Sequence, residues 1–372
     1  GDAYKNAGPH IVDAIPGAKG IMGPWVHKYP HFAVPEPRIG FLQEALRWWD
    51  RWLKGVETGV EEDPDYRAYI MDGARPATWY AERPGRWVTQ EAGQTHTDPA
   101  NGEAAVQLAL GSGGLGLGDT ALSTVISSPA DTGMDGGEYC AIWLGPEMPG
   151  EQRADDAKSA TWTSAPLTAD LNILGRPTLR LRLSSDQPQA QIAVRLNHVH
   201  ADGASTRITY GVLNLSHRAS AEHPEAMPTG TPQDVTVALD HIGYRVPKGD
   251  RIRVSLSTAY WPLLWPSPTA VTLTLHSGDI AIPTYDPATA RPVSFLPPEA
   301  EAPWNTEEVR PDAHVRRTEV DHVSGAVSLI IEDDFGAVRD LDHGLINGSI
   351  ARERWTLHPD DPLCANGACH WT

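Results

Sequence analysis

Asp2 and His27 are the residues of this chain whose types and setting best suit catalysis. A carboxylate that binds one imidazole nitrogen fixes the tautomer, and the other nitrogen is then free to take a proton from a hydroxyl nucleophile. The two groups must meet in space, not in sequence, and here they stand 25 positions apart. The third member is the difficulty. A serine displayed on a sharp strand-to-helix turn is written G-x-S-x-G, and that run is absent from the 372 residues. Ser112, in Gly111-Ser112-Gly113-Gly114, and Ser277, in His276-Ser277-Gly278-Asp279, sit in other contexts. Donors for a developing oxyanion, expected after the nucleophile and from an earlier loop, are missing with it.

One arrangement that meets this need places acid and base on the loops after two successive parallel strands, with one crossover between. The stretch between Asp2 and His27 fits. Pro9 to Ile15 predicts a short helix, with Pro9 tolerated in its first turn, and Lys19 to Met22 predicts a short buried strand entering Gly23-Pro24. From Arg38 to Lys54, Leu42, Ala45, Leu46, Trp49, Trp52 and Leu53 recur at helical intervals, and Gly55 stands where a C-cap belongs. Trp48, Trp49 and Trp52 are expected to be core, packing this helix on a sheet. Glu61 to Asp65 is a polar break, and Tyr66 to Met71 alternates as a strand.

Beyond Pro76 the pattern turns to short strands: Thr178 to Leu183, Gln191 to Leu196, Arg207 to Leu215, Asp234 to Leu239, Arg251 to Ser257 and Ala270 to Leu275. With 32 prolines and 34 glycines in the chain, these argue for an antiparallel β-sandwich. Past Arg310, Ser328 to Glu332 and Glu353 to Leu357 read as additional sandwich strands. Two domains are expected, residues 1–75 and 76–372.

The formal net charge of -18 repels phosphate backbones and anionic bilayers, so neither nucleic acid nor membrane is an expected partner. No apolar run reaches the roughly 18 residues that span a bilayer. The first residue is Gly and no signal peptide precedes the first motif, so the sequence reads as a soluble piece of a longer protein, with the cytoplasm favoured and a homo-oligomer admitted. Three cysteines, Cys140, Cys364 and Cys369, do not make a disulfide framework. No metal is expected. His27 and His31 with His10 fall in a proline-broken segment, Cys364 and Cys369 with His358 and His370 lack a recognised spacing, and His198-x-His200-x-Asp202 reads as a polar strand end entering an Asp-Gly turn. Gly111 to Gly118 lacks the lysine of a phosphate loop and reads as a turn, so no organic cofactor is expected either.

Asp2-x-Tyr4, Gly23-Pro24-Trp25-Val26-His27 and Trp48-Trp49-Asp50-Arg51-Trp52-Leu53-Lys54-Gly55 together resemble the family of cocaine esterase, X-prolyl dipeptidyl peptidase and α-amino acid ester hydrolase. The resemblance continues through Arg195 to Gly203, Gly211 to Arg218, Val246 to Val254 and the pairs Trp261-Pro262 and Trp265-Pro266, in the family's order over about residues 2 to 285. It implies the end of an α/β-hydrolase domain followed by a jelly-roll β-sandwich. It also implies a serine hydrolase of acyl esters or amides, peptides included, acting through an acyl-enzyme. Asp2 would be the orienting acid and His27 the general base, with the serine on a missing N-terminal catalytic half. In the α-amino acid ester hydrolase branch two acidic residues shortly after the triad acid hold the substrate ammonium. Tyr4 and Lys5 occupy those places here, which turns the expectation toward a neutral acyl group. The rival reading is a β-sandwich module without chemistry that binds carbohydrate on Trp261 and Trp265.

Overall fold

The computed structural model describes residues 2–93, 105–142 and 145–372, so Gly1 lies outside the described residues. The chain is mostly β. Helix α1 (Ala7–Ala14), strand β1 (Gly20–Met22), helix α2 (Phe41–Lys54) and strand β2 (Tyr66–Asp72) follow one another as the sequence predicts. β1 and β2 pair in parallel, Gly20 opposite Tyr66, which makes β1-α2-β2 a crossover unit. β2 also pairs in parallel with β13 (Ile242–Val246), β13 runs antiparallel to β8 (Leu171–Gly175), and β3 (Gly85–Gln90) is antiparallel to β2. This first sheet therefore joins the N-terminal region to strands of the β region. Among the described residues β1 is one of its edges.

Two further sheets pack face to face. One has the order β11 (Ser205–Asn214), β10 (Gln191–Val199), β14 (Arg251–Ser257), β7 (Ala160–Thr163). The other runs β12 (Gln233–Ala238), β9 (Thr178–Ser185), β15 (Leu273–Pro283), β4 (Ala105–Gly111), β5 (Gly114–Leu115), with β6 (Thr124–Ile126) also on β15. Period-two alternation fills the space between them: Leu179, Leu181 and Leu183 from β9 meet Ile192, Val194 and Leu196 from β10 and Ile252, Val254 and Leu256 from β14. β15 begins three residues later than Ala270 and runs well past Leu275, because a register shift between Leu275 and Ser277 re-phases the alternation. The Gly111 to Gly118 turn is a tight hairpin in which a Cβ on Gly111 would lie 1.9 Å from the Leu117 carbonyl oxygen.

The other face of β10 is buried too, but it is polar. Asp156, on helix α3 (Arg153–Ala157), accepts hydrogen bonds from Asn197 (3.0 Å), Ser205 (2.9 Å) and Ser255 (2.8 Å). It also pairs with Arg253 at 3.0 Å and with Arg195, itself 1% exposed, at 3.2 Å.

Two expectations are corrected. Ser328 to Glu332 and Glu353 to Leu357 are not strands of the sandwich: they belong to a separate antiparallel sheet ordered β16 (Thr306–Arg310), β18 (Val327–Asp340), β19 (Ile346–His358), β20 (Asp361–Trp371), with β17 (Ala313–Val320) on β18. Leu357 and Trp355 of that sheet pack against Trp261. The second correction concerns α2. Gly55 does cap it, at φ 69°, but no residue of the helix is buried, and Trp49 and Trp52 are each 53% exposed. Its charged side faces inward instead: Glu44 binds Arg67 at 2.9 Å, and Arg47 binds Asp63 at 3.2 Å. The apolar stripe of Leu42, Leu46, Trp49 and Leu53 is left facing outward.

Several tyrosines couple the fold to alkaline pH. Burial pushes Tyr244 up to about 12, and pushes Tyr66 and Tyr210 up as well. A raised folded-state value contributes stability that is whole below the ordinary value of 10.0 and is lost as pH climbs toward the folded one. We expect near-UV circular dichroism to collapse above pH 10 together with the rise of tyrosinate absorbance. Tyrosinates titrating at 10 within an intact near-UV spectrum would contradict this.

Candidate active site

The fold brings Asp2 and His27 together. His27 Nδ1 lies 3.2 Å from Asp2 Oδ2, and the other carboxylate oxygen accepts the Tyr4 amide at 2.6 Å. Both side chains are partly open to solvent, 45% for His27 and 32% for Asp2. The strand β1 delivers the chain into Gly23-Pro24-Trp25, where a Cβ on Gly23 would sit 2.6 Å from the Trp25 ring. Trp25 Nε1 donates to the Pro37 carbonyl at 2.8 Å and its ring packs on Trp87. Val26 is buried, and the His27 amide donates to the Ala141 carbonyl at 2.8 Å. The imidazole thus stands on a backbone fixed from both sides while its ring reaches solvent.

Asp2 is held from the β region. Asn6 donates to Asp240 Oδ1 at 2.7 Å and accepts the His241 amide at 2.9 Å, while Lys5 pairs with Asp240 Oδ2 at 3.0 Å. Sequence reasoning missed this clamp, since Asp240 follows Asn6 by 234 positions and neither residue carries a motif. Beside it opens a cavity of about 370 Å³ whose walls include Asp2, Tyr4, Trp25, Tyr69, Tyr210 and Tyr244. Lys5 Nζ also lies 5.9 Å from the centre of the Tyr210 ring. With Tyr4 and Lys5 near the acid, the site offers an aromatic wall and a compensated cation, and Glu138, Glu147 and Asp240 also line the cavity.

Chemically, an acid on Nδ1 orients Nε2 outward as a base. That arrangement can relay a proton for a nucleophile placed against it; it forms no covalent intermediate by itself. His31 and His10 do not join His27: the His31 ring packs on Phe32 and Phe41, and His10 on His241. Cys140, Cys364 and Cys369 are free thiols. Of the two tryptophans of the rival reading, Trp261 is 0% exposed and Trp265 56%. No helix of the described residues is long and apolar enough to cross a membrane.

Comparison with known proteins bears on the same regions. Residues 58–295 match the model of the X-Pro dipeptidyl-peptidase C-terminal non-catalytic domain. The Mycobacterium bovis protein named "Putative serine esterase Mb1866c" is 26% identical over 221 residues, 57% of this chain and 33% of that protein. Cocaine esterase of Rhodococcus sp. is 22% identical over 265 residues, 66% of this chain and 44% of the enzyme. This chain thus spans less than half the length of those relatives. In fold, it superposes on a selenomethionine-labelled α-amino acid ester hydrolase with a TM-score of 0.55, at 17% identity, over 71% of this chain and 50% of that one. An aminopeptidase from a marine sediment Thaumarchaeota archaeon gives 0.53 at 16% identity, over 76% and 52%. Since the domain model covers more than half of its residues, the chain belongs to the family of the X-Pro dipeptidyl-peptidase C-terminal non-catalytic domain, found in hydrolases of the cocaine esterase and α-amino acid ester hydrolase group.

Proposed function

We propose that this chain is the C-terminal part of a serine hydrolase that cleaves acyl esters or amides through an acyl-enzyme. Residues 1–75 close its α/β-hydrolase domain and residues 76–372 carry the jelly-roll sandwich and the tail sheet. The observation that carries the reading is the 3.2 Å contact of His27 Nδ1 with Asp2, the histidine standing after β1. His27 is the general base and Asp2 the orienting acid, and the serine and its oxyanion donors belong to the catalytic half that precedes this sequence. The outward apolar stripe of α2 and the open edge of β1 support the same reading, because that half supplies a covering surface and a neighbouring parallel strand. Tyr4 and Lys5, in place of acidic residues after Asp2, suit a neutral acyl group, and the three free thiols suit the reducing cytoplasm. A sugar platform on Trp261 has no support, since its ring is buried under the tail sheet.

Purified residues 1–372 assayed with p-nitrophenyl acetate should turn over at background only. Robust hydrolysis by this chain that His27→Ala abolishes would falsify the assignment of the nucleophile to another segment.

A further inference from the structure

His198, His200 and Asp250 form a second cluster, independent of the hydrolase reading. His198 and His200 lie at the end of β10 with ring centroids 3.9 Å apart, and Asp250 follows Gly249 in the turn before β14. Asp202, which the sequence places beside the two histidines, is elsewhere: it forms a two-pronged pair with Arg75. Its place is taken by Asp250, whose Oδ2 lies 2.8 Å from His198 Nε2 and 4.0 Å from His200 Nδ1.

Proton counting shows what this cluster lacks. The Thr206 hydroxyl gives its one hydrogen to the Ala74 carbonyl at 2.9 Å, because a carbonyl only accepts. It must therefore accept from His200 Nε2, 3.0 Å away, so the neutral His200 ring carries its proton on Nε2. That leaves the Nδ1 lone pair facing a carboxylate oxygen that already holds His198. Two electron-rich atoms pointed at each other in a largely buried place are mutually repulsive unless something positive lies between them. Burial keeps both rings in the neutral form that ligates, His198 more deeply than His200.

We propose that His198 Nε2, His200 Nδ1 and Asp250 Oδ2 bind one divalent transition-metal ion, of which Zn²⁺ is the type. Two imidazoles and a carboxylate with an open fourth position match the donor preferences of such ions. The three ligand atoms already lie within 4.8 Å of one another. Bonds of about 2.0–2.2 Å in a tetrahedral site require ligand separations of roughly 3.3 Å, so His200 draws in and Asp250 moves slightly off His198. Each imidazole has an outer partner for its other nitrogen, Tyr244 for His198 Nδ1 at 3.1 Å and Thr206 for His200 Nε2. On binding, the proton of His198 moves to Nδ1, which donates to the Tyr244 oxygen, and the ring stays neutral. The ion would tie the β13–β14 turn to the end of β10.

The test uses the full chain with Cys364 and Cys369 replaced by Ser, so that exposed thiols do not compete. After chelator treatment and desalting, Zn²⁺ is titrated calorimetrically and Co²⁺ is followed by its visible absorption. One equivalent of either ion should bind, and His200→Ala and Asp250→Asn should each weaken binding at least tenfold without loss of fold by circular dichroism. His370→Ala should bind as the parent does. No uptake, or uptake that His200→Ala and Asp250→Asn leave within twofold, overturns the proposal.

Discussion

In the longer hydrolase proposed to carry this chain, His27→Ala should lower kcat/KM for an acyl ester by a factor on the order of 10⁴ to 10⁶, with the melting temperature unchanged. The first part follows from the base's role: without it the serine hydroxyl is a poor nucleophile, and the remaining acid has nothing to orient. The second follows from the structure, since the imidazole is 45% exposed and, among the described residues, its ring bonds Asp2 alone. Asp2→Asn should cost on the order of 10⁴-fold, because an amide in place of the carboxylate selects the wrong tautomer of His27. Retention of activity within tenfold in His27→Ala would remove His27 from the mechanism. A loss of activity accompanied by an equal loss of fold would make the contact structural.

The largest effect on stability is expected at Asp156. It is 4% exposed at the side chain and answers two guanidinium groups, two hydroxyls and an amide at once. Removing it in Asp156→Ala leaves Arg195, 1% exposed, with Gln152 and Ser159 but without its paired carboxylate, and breaking a buried pair in this way costs about 3–5 kcal/mol. For a domain of this size that lowers the melting temperature by roughly 10 °C. Asp156→Asn retains the volume and part of the hydrogen bonding, so it should fall between the two. Urea denaturation placing Asp156→Ala within about 1 kcal/mol of the parent would show that water replaces the carboxylate without loss.

Much of the fold was legible because hydrophobic periodicity is a local signal. Leu179, Leu181 and Leu183, and Ile252, Val254 and Leu256, alternate as strands with one face in a core, and those strands formed where expected. Where periodicity misled, it was silent about partners. The stripe of α2 correctly marked a helix, yet the surface it suits is absent from the described residues, so the side facing inward is the ion-paired one. Beyond Arg310 the strand signals at Ser328 and Glu353 were sound, but nothing in them says which strands they join. The same limit hid the polar clusters, since Asp250 is 52 positions from His198 and Asp156 is 97 from Arg253.

The sequence by itself determined the element types, the acidic surface and the family likeness, and it singled out Asp2 and His27 as candidates. Each rests on residue identity or on spacing within a few turns of chain. Only the tertiary structure decided that Asp2 meets His27, that Asn6 and Asp240 hold the acid in place, that Asp250 displaces Asp202 beside the histidines, and that the apolar side of α2 is bare. Those outcomes depend on which distant backbones pack together, and packing energy is set by the whole surface buried, which no short window of sequence contains.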